Sequence, residues 1–218
     1  CGKVRCVTET GDLHVTKFPA GFFDRQDESS DDRFYAMERF VTHIDDGAIA
    51  AVGVLYDELG LTGDVLDICS SWISHFRTRP QRLVVTGMNG AELAANPMAH
   101  EWTVQDLNAT PVLPFDDDSF DAVTCCVSVD YLTRPLDVFA EVARVLRSGG
   151  RFVCTFSNRC FPTKAIRGWL STDDRGHVAI VATYFDLTDG FDAPVAEHRN
   201  PRVRGDPLYA VHATRSAD

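Results

Sequence analysis

The sequence predicts an α/β fold in which a mostly parallel sheet is covered on both faces by helices. From residue 64 onward, short apolar segments alternate with amphipathic helical patterns, which is typical of strand–helix–strand units. The apolar runs at 120–127 and 151–156 suit buried central strands. The last two predicted strands have no helix between them, so we expect them to pair antiparallel at one edge.

The chain length agrees with one three-layer domain that carries an N-terminal elaboration, since the chain has 218 residues. We expect residues 1–62 to form an N-terminal segment and helical cap, and residues 63–218 to form the α/β domain, together as one structural unit. The composition is 44% hydrophobic and 24% charged, which excludes a collagen-like or wholly disordered chain. No apolar run reaches 18 residues, so we expect no transmembrane helix and a cytoplasmic location.

Charge and cysteine content narrow the classes of partner. The chain has 32 acidic and 21 basic residues and a formal net charge of -11, which argues against nucleic-acid and membrane partners because both are polyanionic. Cys125, Cys126 and Cys154 lie in apolar runs and are expected to be buried thiols in a reducing compartment. Cys1 and Cys6 have no partner pair at a usual zinc spacing, so we expect no metal site.

The N-terminal part of the chain has two patterns. Residues 24–33 are polar and rich in charge, and we expect a solvated loop there. Residues 34–59 carry apolar side chains at intervals of three and four, which predicts a helix that ends at Gly60. Because Asp45 and Asp46 come just before Gly47, this region can also form two helices.

The remaining elements follow in order along the chain. Each predicted strand is a short apolar run, and each predicted helix has an apolar stripe or a stop signal such as Pro97. The predicted strands are 64–68, 82–86, 101–104, 120–127, 151–156, 191–199 and 207–215, and the predicted helices are 72–79, 90–96, 136–146 and 173–187. We expect Ser148, Gly149 and Gly150 to cap the helix 136–146 at its C-terminus.

The expected ligand site follows from this order of elements. In open α/β sheets, ligands bind beyond the carboxyl ends of the strands, near the point where the winding of the sheet reverses. This predicts a site formed by the loops after Ile68, Thr86 and Val127, together with the stretch 105–114.

The stretch 113–158 carries the most specific pattern in the chain. It contains a Leu-Pro-Phe turn, a Phe-Asp pair that opens a strand, an amphipathic helix, and Leu-x-x-Gly-Gly before the next strand. With this pattern, residues 64–215 resemble class I S-adenosylmethionine-dependent methyltransferases of the type 11-like group. The resemblance implies a Rossmann-like three-layer sandwich with seven strands in the order 3-2-1-4-5-7-6, strand 7 antiparallel. It also implies S-adenosylmethionine as cofactor, S-adenosylhomocysteine as product and a small-molecule acceptor, and it leaves a homodimer open.

The sequence departs from this family at two loops. After the first strand, the family has a glycine-rich turn, which allows close backbone approach and positive φ. This chain has a Ser-Ser-Trp loop there without glycine, from Cys69 to Trp72, and is identified as a member of an atypical branch. After the second strand, where the family has an acid for the ribose hydroxyls, the chain has Met88 and Asn89. We therefore expect weakened cofactor binding.

The resemblance assigns site residues to three roles. The expected cofactor-binding residues are Tyr35, Asp67, Cys69, Ser70, Ser71, Met88, Asn89, Asp106, Leu107 and Ser128; the expected catalytic residues are His75, Asp130 and Tyr131; and Trp72 and His43 are expected to contact substrate. His75 is chosen because an imidazole titrates near neutral pH and can take a proton from an acceptor.

Each of these side chains also has a structural alternative, such as helix capping or packing. The leading function is methyl transfer to a small molecule. The alternative is a protein of this fold with a degenerate cofactor site, which acts as a binding or regulatory module or catalyses another reaction.

Overall fold

The structure, a computed structural model, describes residues 18–201 and 204–217. In chain order its elements are α1 (Asp31–Tyr35), α2 (Asp46–Glu58), β1 (Asp64–Ile68), β2 (Arg82–Gly87), α3 (Gly90–Ala94), β3 (Glu101–Val104), β4 (Phe120–Cys126), α4 (Pro135–Val145), β5 (Leu146–Phe156), α5 (Arg167–Leu170), α6 (Asp174–Leu187), β6 (Val195–His198) and β7 (Tyr209–Thr214). A short 3-10 turn, Val129–Tyr131, follows β4. The predictions for Cys1 and Cys6 fall outside the described residues.

The seven strands form one sheet in the order β3-β2-β1-β4-β5-β7-β6, as predicted. Strands β1 to β5 pair in parallel, and β7 runs antiparallel to both β5 and β6. The chain winds from β1 through β2 to β3 and then crosses to the other side of β1 to form β4. The winding therefore reverses between β1 and β4, and a cleft opens there at the carboxyl ends of the strands.

Two hydrophobic layers cover the faces of the sheet. Cys125 packs with Phe139 of α4 in one layer, whereas the neighbouring Cys126 packs against the layer that contains Tyr56 of α2. Cys154 lies opposite Cys125 in the register of β4 and β5. All five cysteines in the described part of the chain are free thiols. The prediction of buried thiols in central strands is confirmed for Cys125 and Cys154, whereas Cys126, at the end of β4, is only half-buried.

The helical prediction for residues 34–59 resolves into two helices with an irregular segment between them. The Asp45 side chain accepts a hydrogen bond from the backbone N of Ala48, at 2.9 Å, and so caps the N-terminus of α2. The predicted helix at 72–79 is wrong, because this stretch is irregular. There the Ser74 hydroxyl donates to the Asp67 carboxylate, and such side-chain bonds compete with helix formation.

The predicted cap of the helix 136–146 is also wrong. Helix α4 ends at Val145 and the chain continues directly into β5, four residues before Gly149. Gly149 has a φ of +79° and donates its N–H to the carbonyl of Arg215, while the carbonyl of Gly150 accepts from the N–H of Arg215. The two glycines therefore join the start of β5 to the end of β7.

Part of the expected solvated loop at 24–33 is instead buried. Asp31 is 5% exposed, and both of its carboxylate oxygens accept from Nη1 of Arg25, each at 2.9 Å. The ammonium of Lys164 lies 3.1 Å from the same carboxylate. Lys164 is fully buried, and its ammonium also donates to the carbonyl of Ser29, at 2.7 Å. The backbone N of Asp27 donates to the carbonyl of Thr163. These contacts attach the N-terminal segment, here residues 18–45, to the loop that follows β5.

Among the described residues, no helix combines the length and the apolar character that crossing a bilayer demands. In the same part of the chain, no group of three or more His, Cys, Asp or Glu side chains has the arrangement of a metal site.

Candidate functional site

A cavity of about 480 Å³ lies beyond the carboxyl ends of β1, β2, β3 and β4. Its walls come from the N-terminal segment, from the loops after these four strands, and from the loop after β5. Among the residues predicted from the sequence, those that line the cavity are Tyr35, His43, Cys69, Ser70, Ser71, Met88, Asn89, Asp106, Leu107, Ser128 and Tyr131. Asp67, Trp72, His75 and Asp130 do not line it.

Asp67, at the end of β1, shapes the loop beside the cavity. It is 4% exposed, and burial raises the pKa of its carboxyl group. One carboxylate oxygen accepts from the hydroxyls of Ser70, at 2.7 Å, and Ser74, at 2.8 Å, and the other accepts from Thr124, at 2.7 Å. Three neutral hydroxyls therefore hold this buried carboxylate, and through it they fix the course of the loop after β1.

The loop after β1 begins with strained backbone. Cys69 has a φ of +53°, in the left-handed region that favours glycine, and Ser70 then donates its N–H to the carbonyl of Thr86, at 2.7 Å. A Cβ added at Gly87 would lie 2.2 Å from the carbonyl oxygen of Ser70, so only glycine fits there. Val127, which follows β4, has a φ of +46°. Both strained residues line the cavity, which is where proteins concentrate such strain.

Asn89, after β2, uses its side chain within the protein. Its oxygen accepts from the backbone N–H of Ala91, at 3.0 Å, and of Glu92, at 3.2 Å, which caps α3. Its amide nitrogen donates to the carbonyl of Tyr35, at 2.9 Å. The side chain expected to replace the family's ribose-binding acid is therefore largely engaged in capping and in holding the N-terminal segment.

Glu92 connects three walls of the cavity. It is 7% exposed, and its carboxylate accepts from the Ser71 hydroxyl, at 2.5 Å, and from the backbone N of Arg39, at 2.6 Å. The segment between α1 and α2, the loop after β1 and helix α3 thus meet at one buried carboxylate.

The loop after β3 is organised by Asp106 and Asn108. One carboxylate oxygen of Asp106 accepts from the backbone N of Asn108, at 2.9 Å, and of Ala109, at 3.2 Å. The Asn108 amide donates to the Asp31 carboxylate and to the carbonyl of Tyr131, both at 3.0 Å. Asn108 therefore joins the N-terminal segment to the turn that follows β4.

Aromatic rings form the wall beyond β4 and β5. The Tyr131 hydroxyl accepts a hydrogen bond from the backbone N of Phe161, at 2.8 Å, and the two ring centroids lie 6.0 Å apart. The Phe161 ring contacts the His43 and Phe34 rings edge to face, each at 5.3 Å. Asp130 lies next to this wall, is 2% exposed, and has a pKa that burial raises to about 8.

His75 and Trp72 lie outside the cavity. His75 is half-buried, and burial lowers the pKa of its imidazole to about 4, which makes it a weak proton acceptor at neutral pH. The indole N–H of Trp72 donates to the carbonyl of Val41, at 3.1 Å, and its ring lies 6.1 Å from that of Phe40. Trp72 therefore supports the N-terminal segment from outside.

Several lining residues were not predicted from the sequence. They include Asp31, Arg39, Glu92, Gln105, Asn108, Arg159, Cys160, Phe161 and Asp206. Cys160 and Phe161 follow β5, a strand whose loop was not among those expected to form the site. The signal that could have found them is the parallel order itself, because the carboxyl end of β5 lies at the same edge of the sheet as that of β4.

The comparison with protein families agrees with this geometry. Residues 66–154 match the family model described as a methyltransferase domain. The matched stretch begins inside β1 and ends inside β5.

Curated relatives carry related names. The chain is 35% identical over 113 residues to the ubiquinone/menaquinone biosynthesis C-methyltransferase UbiE of Paracoccus denitrificans. The aligned stretch covers 50% of the chain and 44% of that protein. The chain is 49% identical over 51 residues to the demethylmenaquinone methyltransferase of Clavibacter sepedonicus, over 23% of the chain and 21% of that protein. The chain thus matches less than half the length of these relatives.

Solved structures share the fold. A methyltransferase from Aquifex aeolicus superposes with a TM-score of 0.55 at 13% identity, covering 78% of the chain and 91% of that protein. The geranyl diphosphate C-methyltransferase of Streptomyces coelicolor, solved with S-adenosyl-L-homocysteine, superposes with a TM-score of 0.51 at 15% identity, covering 76% and 77%.

Proposed function

We propose that the protein transfers a methyl group from S-adenosylmethionine to a small-molecule acceptor. The observation that carries this proposal is the cavity at the reversal point of the sheet, because every expected cofactor-binding residue except Asp67 lines it. The family match and the names of the relatives agree with this reaction.

The cavity suits S-adenosylmethionine in size and chemistry. Its volume of about 480 Å³ lies in the usual range for small-molecule sites. Met88 and Leu107 supply apolar surface on the side of β2 and β3, where a purine ring would lie. One carboxylate oxygen of Asp106 has no hydrogen-bond partner among the described residues, and it would accept the adenine amino group.

One feature predicts a modest affinity for the cofactor. Because Asn89 is engaged in capping, no carboxylate at that position receives the ribose hydroxyls. The loss of one charge-assisted bond costs about 1.5–3 kcal/mol, which corresponds to roughly 10- to 100-fold in affinity.

The residues of this chain would position the acceptor. When bound, S-adenosylmethionine supplies a methyl group that its sulfonium centre already activates. The hydrogen bond from Phe161 N–H fixes the Tyr131 ring, so Tyr131 and Phe161 form a rigid wall against which a planar acceptor can be oriented. His43 lines the same cavity, which His75 does not, and can hydrogen-bond to an acceptor hydroxyl; burial lowers the pKa of both imidazoles, so position and not basicity favours His43.

Calorimetric titration with S-adenosylmethionine and S-adenosylhomocysteine tests the proposal. We expect binding of both, and an Asp106→Ala variant should bind each at least tenfold more weakly. Asp116→Ala is the matched control, because Asp116 is exposed on the turn that precedes β4 and does not line the cavity. If neither compound binds the wild type at millimolar concentration, the methyltransferase proposal fails.

The engaged side chain of Asn89 also favours a second candidate, a binding or regulatory module that holds the nucleoside without transferring a methyl group. The two candidates differ in turnover. Formation of S-adenosylhomocysteine with any member of a panel of phenols, amines and thiols supports the enzyme. Binding without turnover across the whole panel supports the module.

We further propose a cytoplasmic location, which the free thiols of the described residues support, and a homodimer. Trp102 and Val104 on the edge strand β3 are each about half exposed, which supports self-association through that edge. Light scattering coupled to gel filtration would measure the oligomeric state. We also propose that residues 1–62 and 63–218 form one unit, since Lys164 binds groups of the N-terminal segment.

A further inference from the structure

Arg39 lies in the cavity wall, on the segment between α1 and α2. Its guanidinium carbon lies 4.6 Å from the centroid of the Phe34 ring, 5.6 Å from that of Phe161 and 5.8 Å from that of Tyr35. Its terminal nitrogens donate to the carbonyls of Phe34, at 2.7 Å, and Met37, at 3.3 Å. The guanidinium is thus held in one place by aromatic rings and backbone carbonyls.

The guanidinium of Arg39 differs from those of its neighbours in having no carboxylate partner among the described residues. Among the described residues, no carboxylate forms an ion pair with its guanidinium, and Glu92 binds its backbone amide instead. Arg159 also lines the cavity, but its charge is paired with Asp206 at 2.9 Å. Arg25 is likewise paired, with Asp31. Among the described residues that line the cavity, Arg39 therefore brings a guanidinium that is not paired with a carboxylate.

The geometry of Arg39 favours one kind of ligand group. A guanidinium has five N–H donors in a planar fork, and two backbone carbonyls leave donors free for the two oxygens of a carboxylate. The three surrounding rings offer flat apolar surfaces to a planar group beside the guanidinium.

We propose that Arg39 binds a carboxylate of the ligand in this cavity, an inference that rests on the proposed function for the presence of a ligand. The carboxylate can come from two sources. One is the amino-acid end of the cofactor. The other is an acceptor that is an aromatic carboxylic acid, whose ring would lie against the Tyr131–Phe161 wall with its carboxylate at Arg39.

Binding measurements with an Arg39→Gln variant test the inference and separate the sources. The first pair of probes is S-adenosylhomocysteine and S-adenosyl-3-thiopropylamine, which is the same molecule without its carboxylate. The second probe is 4-hydroxybenzoate, titrated into protein saturated with S-adenosylhomocysteine. Arg33→Gln is the matched control, since Arg33 is exposed on the neighbouring α1 and does not line the cavity.

Each outcome has a defined meaning. A loss of about tenfold or more for S-adenosylhomocysteine, with less than about twofold for its decarboxylated analogue, supports the inference with the cofactor as the source. A similar loss for 4-hydroxybenzoate alone supports it with the acceptor as the source. In either case Arg39→Lys, which keeps the charge but loses the fork, should recover part of the affinity.

The inference is overturned if Arg39→Gln weakens S-adenosylhomocysteine and its decarboxylated analogue equally, because the effect is then not on a carboxylate. It is also overturned if the variant matches the wild type with all three probes, and in that case the proposed function still stands. Failure of the wild type to bind S-adenosylhomocysteine at all refutes the proposed function and the inference with it.

Discussion

Substituting Cys69 by glycine and, separately, by alanine measures the backbone strain at the start of the cavity loop. Cys69 has a φ of +53°, where an L-residue with a Cβ pays about 1–2 kcal/mol and glycine pays none. Glycine in turn costs about 0.5–1 kcal/mol relative to alanine, because its unfolded chain is more flexible. Both variants lose the same thiol, so the loss of packing against the core largely cancels between them.

The net expectation is that Cys69→Gly is more stable than Cys69→Ala by about 0.5–1 kcal/mol. Ser71, two residues further on, provides the control, because it lacks a positive φ and both substitutions there remove the same hydroxyl bond to Glu92. At position 71 the order should reverse, with alanine the more stable.

Urea unfolding followed by circular dichroism gives these differences, provided that the m-values of the four variants agree. In thermal unfolding, the difference at position 69 corresponds to roughly 1–4 °C for a chain of this size. If Cys69→Ala is as stable as Cys69→Gly or more so, the left-handed backbone is not strained and the reasoning is wrong.

Three further substitutions probe buried ionisable groups. Burial raises the pKa of Asp130 from 3.8 to about 8, so between these pH values the folded protein keeps a proton that the unfolded chain has lost, and the free energy of unfolding falls as pH rises. The Asp130→Asn variant should lack this fall when unfolding is measured at pH 4, 6 and 8, and a pH dependence parallel to that of the wild type would contradict the prediction. Lys164→Met should lower the free energy of unfolding by about 3–5 kcal/mol, because it removes a buried cation from Asp31. A loss below about 1 kcal/mol would show that Arg25 alone is enough to stabilise the Asp31 carboxylate. Asp67→Ala should lower the free energy of unfolding in urea by about 2–3 kcal/mol, since three hydroxyls lose their acceptor. It should also weaken the binding of S-adenosylhomocysteine measured by calorimetry. Unchanged binding would show that the course of the loop after β1 does not affect the cavity.

The sheet could be predicted from the sequence because its signals are local. Strands such as 120–126 are mostly apolar runs, and a run of this kind is the sequence signal of a parallel strand that is buried on both faces of the sheet. The position of the cavity followed from the same order, since it depends on topology and not on side-chain detail.

What could not be predicted depends on partners distant in sequence. Residues 72–79 carry a helical pattern, but the bond from Ser74 to Asp67 and the bond from Trp72 to Val41 hold an irregular path. Asp67 was expected at the cofactor, whereas its three hydroxyl partners include Thr124, 57 residues away. In the sequence, Arg39 resembles an ordinary residue on a helix surface, because its contact with Phe161 forms only in the folded chain.

The buried Lys164 has a consequence for how the protein is made. Its hydrogen-bond partners at Asp27 and Ser29 precede it by 137 and 135 residues, so they leave the ribosome long before the lysine that will cover them exists. At about 5–20 residues per second, that wait lasts roughly 7–27 s. During this time the segment must remain hydrated without its partners. Residues 24–33 are rich in charge and resemble a solvent-exposed loop in the sequence. This composition suits a segment that is hydrated during synthesis and is enclosed only when the cavity is completed.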